Sequence, residues 1–219
     1  MTLPTLSLLD TRVLGVLVEK QHTVPDTYPL TLNALVSGCN QKTSRDPVIE
    51  AADAEVQATI DRLKGLSLVM ESSGGRVMRY AHNAGKGLNL PAPSVALLAV
   101  LFLRGSQTPG ELRINTERLH KFTDISSVEA FLQELAERGF VRELARVPGT
   151  REARWAHLLS GEPAAPAARP EPASEAAVES LTVSEIAALK ANLDQLHADV
   201  ATLKETVARI CRELGVAEK

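Results

Sequence analysis

The sequence is poor in the residues that mark secreted, metal-binding and membrane proteins. It has only two cysteines in 219 residues, Cys39 and Cys211. This number is too small for a disulfide framework or a cysteine-rich metal site, so we expect both thiols to be reduced. The longest apolar run, Val95 to Leu103, is shorter than the roughly 20 residues that a membrane helix needs. The first ten residues lack the features of a secretory signal, so we expect a cytoplasmic protein without a membrane-spanning segment.

Motifs for catalysis and cofactor binding are also missing. The sequence contains no HExxH, CxxC, GxxxxGK[ST], GxGxxG or GxSxG, and its five histidines are scattered. We therefore expect no metal, no cofactor and no enzymatic activity. Cys39 is the only candidate nucleophile. It lies in an apolar helical pattern with no histidine near it in sequence, which favours a small buried residue instead.

Charge is nearly balanced, with 24 Lys and Arg against 27 Asp and Glu, a formal net charge of -3 and a pI of about 6.0. This balance excludes a protein that coats nucleic acid or anionic membranes through its overall charge. Residues 1–90 have a net charge of 0, residues 91–160 of +1 and residues 161–219 of -4. Any DNA would therefore have to be bound by a local basic patch in the first 160 residues.

Before residue 160 the hydrophobic patterns predict the same order of elements twice, three helices followed by a β-hairpin. In the first half we predict helices over 6–20, 30–40 and 53–66 and strands over 68–71 and 76–82. In the second half we predict helices over 94–104, 110–122 and 126–139 and strands over 140–144 and 153–159.

Turn and cap signals support these boundaries. Gly74-Gly75 and Pro148-Gly149 are suited to the two hairpin turns. We expect Ser126 and Glu129 to form a capping box for the third helix of the second half, and Asp53 to cap its counterpart. Three helices closed by a hairpin form the winged helix-turn-helix architecture.

The sequence thus predicts a mainly α-helical fold with small β-hairpins, in which residues 1–90 and 91–160 are two tandem winged-helix domains. The alternative is a single irregular helical domain of about 160 residues, which would leave the repeated order of elements unexplained.

Several long segments also resemble a known family. These are PDTYPLTLNALVSGCNQKTSRDPV (25–48), DAEVQATIDRLKGL (53–66), QTPGELRINTERLHKF (107–122) and PGTREARWAHLL (148–159). They are similar to the YceH-like family of uncharacterised bacterial proteins, over about residues 6–160. The resemblance implies a pair of winged-helix domains, and it implies no activity and no functional residues.

After residue 160 the composition changes. In residues 161–180, Pro and Ala fill 11 of 20 positions, so this segment cannot bury a core and we expect a flexible linker. Residues 181–216 then carry apolar side chains at alternating steps of three and four, which is the seam of a coiled coil. The residues of this predicted dimerisation seam are Ile186, Leu189, Leu193, Leu196, Val200, Leu203, Val207, Ile210 and Leu214.

Charges beside the seam favour a parallel homodimer, because Glu185 with Lys190 and Asp199 with Lys204 would attract each other across the two helices. The alternative is an amphipathic helix that folds back on its own domain, for which a wider apolar stripe is expected.

Three features bear on a partner. The polar loop, residues 40–46, could contact phosphate or protein, or could simply be a turn that satisfies its own backbone. The third helices expose acidic faces, including Asp61 in the first and Glu134 and Glu137 in the second, which phosphates would repel. Arginines gather on the hairpins, where they could bind DNA or form an ordinary solvated strand face. The candidate DNA-binding residues are Lys42, Arg45, Arg76, Arg79, Arg142, Arg146, Arg151 and Arg154.

Three functions are compatible with these features. The first is a dimeric DNA-associated regulator that contacts phosphates through its hairpins and polar loop. The second is a dimeric, non-enzymatic adaptor that binds protein through the acidic third helices. An enzyme is the least favoured, because no catalytic constellation occurs.

Overall fold

The computed structural model of the chain describes residues 3–73, 77–146 and 152–161. Their elements are α1 (Leu8–Thr23), a 3-10 turn (Pro25–Thr27), α2 (Leu32–Cys39), α3 (Asp53–Gly65), β1 (Val69–Ser72), β2 (Arg79–His82), α4 (Ala84–Gly87), α5 (Ala92–Arg104), α6 (Pro109–Asn115), α7 (Ile125–Glu137), β3 (Val141–Glu143) and β4 (Trp155–His157). The fold is therefore mainly helical with two small antiparallel hairpins, as the sequence predicts.

We call α1 to β2 the first module and α5 to β4 the second module. Each consists of three helices followed by a hairpin, and the short helix α4 connects them. Both modules lie within one compact unit and share one hydrophobic core. The apolar run from Val95 to Leu103 is buried on every side because α5 lies between α1 on one side and the rest of the second module on the other.

The contact between the modules is made chiefly by α1 and α5. Gly15 lies at this contact, where a Cβ atom added to it would be 2.9 Å from Cγ of Leu103. Leu14, Leu17 and Leu101 nearby are fully buried. The absence of a side chain at Gly15 thus lets the two helices approach closely enough for their leucines to pack.

Both third helices have a different N-cap from the predicted one, and α7 also begins one residue earlier than predicted. In α7 the expected capping box of Ser126 and Glu129 is wrong, because Asp124 is the N-cap and its carboxylate accepts from the Ser127 amide at 2.7 Å. In α3 Asp53 is the first helical residue and not the cap. A negative charge before or within the first turn is favourable in both cases, so several positions compete for this role.

Helix α6 is shorter than predicted, because it ends at Asn115 and not near residue 122. The hydroxyl of Thr116, which follows it, donates to the carbonyl of Leu112 at 2.7 Å. Both Leu119 and His120 then donate their amides to the carbonyl of Thr116. The chain therefore continues as a turn, which brings Phe122 back into the core.

Several predicted features fall on the rest of the chain. The linker after residue 161, the coiled coil of residues 181–216 with its dimerisation seam, and the candidate DNA-binding residues Arg76 and Arg151 all lie outside the described residues. Within the described ranges, no helix has the length and apolar character needed to cross a membrane.

Candidate functional site

The two modules repeat each other at the level of individual hydrogen bonds. In the first, Leu30 and Tyr80 exchange both backbone hydrogen bonds, at 3.0 and 2.8 Å. In the second, Gln107 and Trp155 do the same, at 3.0 and 2.7 Å. Leu30 and Gln107 each precede the threonine that caps the next helix. Each hairpin is thus extended on one side by an isolated bridge at an equivalent place.

The third helices and the strands after them correspond with a constant offset of 72 positions. Val56, Ile60 and Leu63 are fully buried, and so are Val128, Leu132 and Leu135, the residues 72 positions later. The helical spacing predicts these six to be buried, and it also predicts burial of Phe131, which is only partly buried. The offset therefore allows each surface residue of α3 to be compared with its equivalent on α7.

The repeat also explains two of the candidate DNA-binding arginines. Arg79 in β2 donates to the carbonyls of Thr27 and Pro29 at 3.2 and 2.8 Å. Arg154, 75 positions later, donates to the carbonyl of Ser106 at 3.2 Å. Pro29 and Ser106 each lie two residues before a capping threonine. Both arginines therefore tie the hairpin to the start of the second helix of their module, which is a structural role.

In the second module this arginine also has an acidic partner. Arg154 donates to both carboxylate oxygens of Glu111, at 3.1 and 2.8 Å. Glu111 in turn accepts from the backbone amide of Thr108 in a capping box. The positive charge of Arg154 is thus largely balanced by a neighbouring carboxylate. This pairing weakens its candidacy as a phosphate contact.

In the polar loop, Arg45 points into the protein. Its side chain is fully buried and forms a two-pronged ion pair with Glu19 of α1, at 3.2 and 2.6 Å. It also donates to the carbonyl of Gly38 at 3.2 Å and to the side chain of Gln41 at 2.6 Å. Nothing of this guanidinium is presented to DNA, so we remove Arg45 from the candidate phosphate contacts.

A second buried arginine supports the same loop. Arg12 of α1 is completely buried and donates to the carbonyls of Cys39 and Pro47 at 3.1 and 2.5 Å. Burial and the nearby Arg45 lower the pKa of Arg12. The loop is also tied to the second module, because the Asp46 amide donates to the carbonyl of Leu103 at 2.8 Å. The polar loop is therefore anchored to α1 on both sides by Arg12 and to the second module by Asp46.

The roles of Asp10 and Arg12 were not predicted from the sequence, although one signal indicates them. Asp10 and Arg12 lie inside an apolar helical pattern, and charged side chains are rarely buried without partners. The structure supplies Arg62 of α3 as the partner of Asp10, with a 2.9 Å hydrogen bond from Nε. These partners are distant in sequence, so only the charges themselves are visible there.

The remaining described candidates for DNA contact are on the surface. Lys42 is exposed in the polar loop, and Arg142 and Arg146 are exposed on and just after β3. Met70 is the residue equivalent to Arg142 in the first hairpin and has an exposed fraction of 52%. The two hairpins therefore differ at this position, which is apolar in the first and basic in the second.

The outward face of α7 carries three glutamates and no cation. Glu129, Gln133 and Glu137 form one row with a spacing of four, and Ala130 and Glu134 form the neighbouring row. All five are exposed, and the sequence predicts this for all of them except Glu129. Ile125, at the start of the first row, has an exposed fraction of 44%.

The equivalent face of α3 is engaged in internal contacts. Arg62, the counterpart of Glu134, binds Asp10. Gln57, the counterpart of Glu129, donates to Asp61 at 3.3 Å and accepts from the Tyr80 hydroxyl at 3.1 Å. Polar side chains on α3 thus hold the first module together, whereas those on α7 face solvent.

The Cys39 thiol and two of the histidines are uncharged at neutral pH in this fold. Cys39 is completely buried, as predicted, and burial raises its pKa to about 12, so the thiol is protonated at neutral pH. Burial lowers the pKa of both His82 and His157 to about 4. Across the described ranges, no group of three His, Cys, Asp or Glu side chains is arranged to hold a metal ion.

Comparison with known proteins gives the relationship of the chain. Three relatives described as UPF0502 proteins match it: one from Leptothrix cholodnii with 54% identity over 95% of each chain, one from Dechloromonas aromatica with 54% over 96% of this chain and 98% of the relative, and one from Methylibium petroleiphilum with 55% over 98% and 92%. The family model described as "Protein of unknown function, DUF480" matches residues 6–150. The expected membership of an uncharacterised bacterial family is confirmed, and the chain belongs to the DUF480 family.

Proposed function

We propose that this protein is a non-enzymatic adaptor that binds another protein through its second module. One observation carries the proposal: the solvent-facing surface of α7 is acidic, while Arg154 of the adjoining hairpin is held by Glu111. Phosphates would be repelled by this face, whereas protein partners commonly complement such charges. We further propose that the two modules are tandem winged helices. Each has three helices followed by a hairpin, and in each an isolated bridge pairs the hairpin with the segment before the second helix.

A photo-crosslinking amino acid at Gln133 of α7 tests the adaptor. The equivalent position Asp61 of α3 serves as the matched control, because both are exposed on a third helix. In cells of the source bacterium, position 133 should give a defined protein adduct that Glu134→Lys with Glu137→Lys abolishes. Equal labelling from both positions, or none from position 133, would refute binding at α7.

A second candidate is DNA association through the second hairpin and the polar loop. It is favoured by the exposure of Lys42, Arg142 and Arg146. If these residues contact phosphates, Arg142→Gln with Arg146→Gln will weaken duplex binding and reduce its dependence on salt. Unchanged affinity would exclude both arginines as contacts.

Assembly is a further part of the proposal. We propose that two copies associate through the coiled coil of residues 181–216 and act in the cytoplasm, so that each assembly presents two α7 faces. Two linked faces would bind a bivalent partner more tightly than one, without any additional contact.

A further inference from the structure

We propose that the helix pair α6–α7 docks a basic amphipathic segment of the partner, with apolar side chains against Ile114 and Ile125 and cations against the carboxylates of α7. This inference rests on the proposed adaptor function and specifies the chemistry of its partner. It concerns a surface made only of exposed residues in the second module.

The first argument comes from the two isoleucines. Ile114 has an exposed fraction of 70% and Ile125 of 44%. Isoleucine side chains lose hydrophobic stabilisation by remaining in water, and contact with an apolar surface would recover it. Both belong to the α6–α7 pair, where Arg113, next to Ile114, donates to the carbonyl of Thr123 near the start of α7.

The first module provides an internal control. Ser37 is equivalent to Ile114, counted from the capping threonines, and Asp53 is equivalent to Ile125, since each is the first residue of its helix. Both Ser37 and Asp53 are exposed. The same helix arrangement therefore forms with polar residues at these positions, and the fold does not require isoleucine there. A contact between these isoleucines and another molecule explains better why they are present.

The second argument comes from charge. Between the two modules, Arg62 is replaced by Glu134, Gln57 by Glu129 and Gly65 by Glu137. Each change makes the surface of α7 more negative than that of α3. Arg138 is a cation paired with this face: it lies 3.9 Å from Glu134 and also donates to the carbonyls of Leu88 and Asn89. The face therefore keeps a negative potential next to its apolar end.

These features select one occupant. DNA would be repelled by the carboxylates, and a second copy would place the same acidic face against itself. The chain's own residues 161–219 have a net charge of -4 and are poorly suited to cover it. A segment of another protein with lysines or arginines beside an apolar stripe matches both the isoleucines and the charge.

Fluorescence anisotropy with the full-length protein tests the proposal. The probes are three fluorescein-labelled helical peptides of 15 residues that share one leucine stripe and carry Lys, Gln or Glu at the remaining positions. The Lys peptide should bind at least about tenfold more tightly than the Glu peptide, with the Gln peptide between them. Its affinity should fall as salt is raised.

Three double variants locate the site. Ile114→Ser with Ile125→Asp introduces the residues of the first module and should weaken the Lys peptide about tenfold or more. Glu129→Lys with Glu137→Lys should do the same. Asp26→Lys with Glu50→Lys alters charge equally at exposed sites of the first module and should change affinity less than twofold. Unchanged circular dichroism and urea midpoints verify that the variants fold.

The outcomes separate this inference from the proposed function. If the Gln or Glu peptide binds as tightly as the Lys peptide and still requires the isoleucines, a basic partner is refuted while protein binding at α7 stands. If all three variants bind the Lys peptide like the original protein, docking at α6–α7 is refuted. If no peptide binds and position 133 crosslinks to no protein, the inference and the adaptor function both fall.

Discussion

Arg79 and Arg154 perform the same task in the two modules. Each donates to the backbone carbonyl of a residue that lies two positions before a capping threonine, Pro29 in the first module and Ser106 in the second. The hairpins are thereby fixed to the second helices of their modules. Residues that look like a basic DNA-binding surface in the sequence are thus partly a repeated structural connection.

Replacing Arg79 by glutamine should therefore lower stability and not binding. The loss of its hydrogen bonds to two exposed carbonyls should reduce the free energy of unfolding by about 1 kcal/mol. Urea unfolding measures this, with Arg118→Gln at another exposed position as the control. A variant as stable as the original protein would show that the connection contributes nothing.

Breaking the buried ion pair of Arg45 and Glu19 should lower the free energy of unfolding more than the Arg79 change does. Arg45→Met removes the cation that faces the largely buried carboxylate of Glu19, and we expect a loss of about 3 kcal/mol. Adding Glu19→Gln to this variant should recover part of the loss, because the carboxylate no longer lacks a partner. A double variant that equals the sum of the two single losses would contradict direct coupling between them.

Acid should destabilise the fold through its buried histidines. Burial depresses the pKa of His157 from 6.5 to about 4, so the unfolded chain binds a proton in this range that the folded protein does not. Stability should therefore be complete above pH 6.5 and fall between pH 6.5 and 4, by up to about 3 kcal/mol for this group. The difference between the urea midpoints at pH 7 and pH 4.5 should become smaller in His157→Leu, while the part that His82 contributes remains. An equal pH dependence in this variant would contradict the assignment.

Replacing Ile125 by the residue at the equivalent position of the first module should leave the free energy of unfolding unchanged. Ile125→Asp places on α7 the residue that begins α3, and an acidic side chain in the first helical turn is favourable. We expect the free energy of unfolding to stay within about 0.5 kcal/mol. A large loss would mean that Ile125 packs within its own module and has no need of a partner.

The proposed self-association rests on residues outside the described ranges and is tested by measuring the mass of the assembly. Leu196→Asp places a charge in the predicted apolar seam and should convert a dimer into a monomer, as measured by light scattering. Asp194→Lys, a polar change beside the seam, is the control and should remain dimeric. If the Leu196 variant keeps the mass of the original protein, the coil is not the dimer interface.

The order of helices and hairpins could be predicted because periodicity and turn residues are local signals. Val56, Ile60 and Leu63 define the buried face of α3 from sequence spacing alone. Cap positions were harder, because Asp124, Ser126 and Asp53 all have suitable side chains within a few residues of a helix start. Only the backbone geometry decides among them.

The roles of the arginines could not be predicted for a different reason. Arg45 pairs with Glu19, which lies 26 positions away in the sequence. Arg79 donates to backbone carbonyls that any residue could supply. Sequence patterns contain no information on such partners. Exposed and internally bound arginines therefore look alike until the chain is folded, whereas the acidic outward face of α7 follows directly from its helical spacing.

Binding of the full-length protein to a fluorescent DNA duplex across a salt series tests the central claim most directly. A protein-binding adaptor with an acidic α7 face should show no salt-dependent affinity for DNA in the micromolar range. Micromolar or tighter binding that falls steeply with salt, and that Arg142→Gln with Arg146→Gln weakens, would contradict the adaptor and establish DNA as the partner.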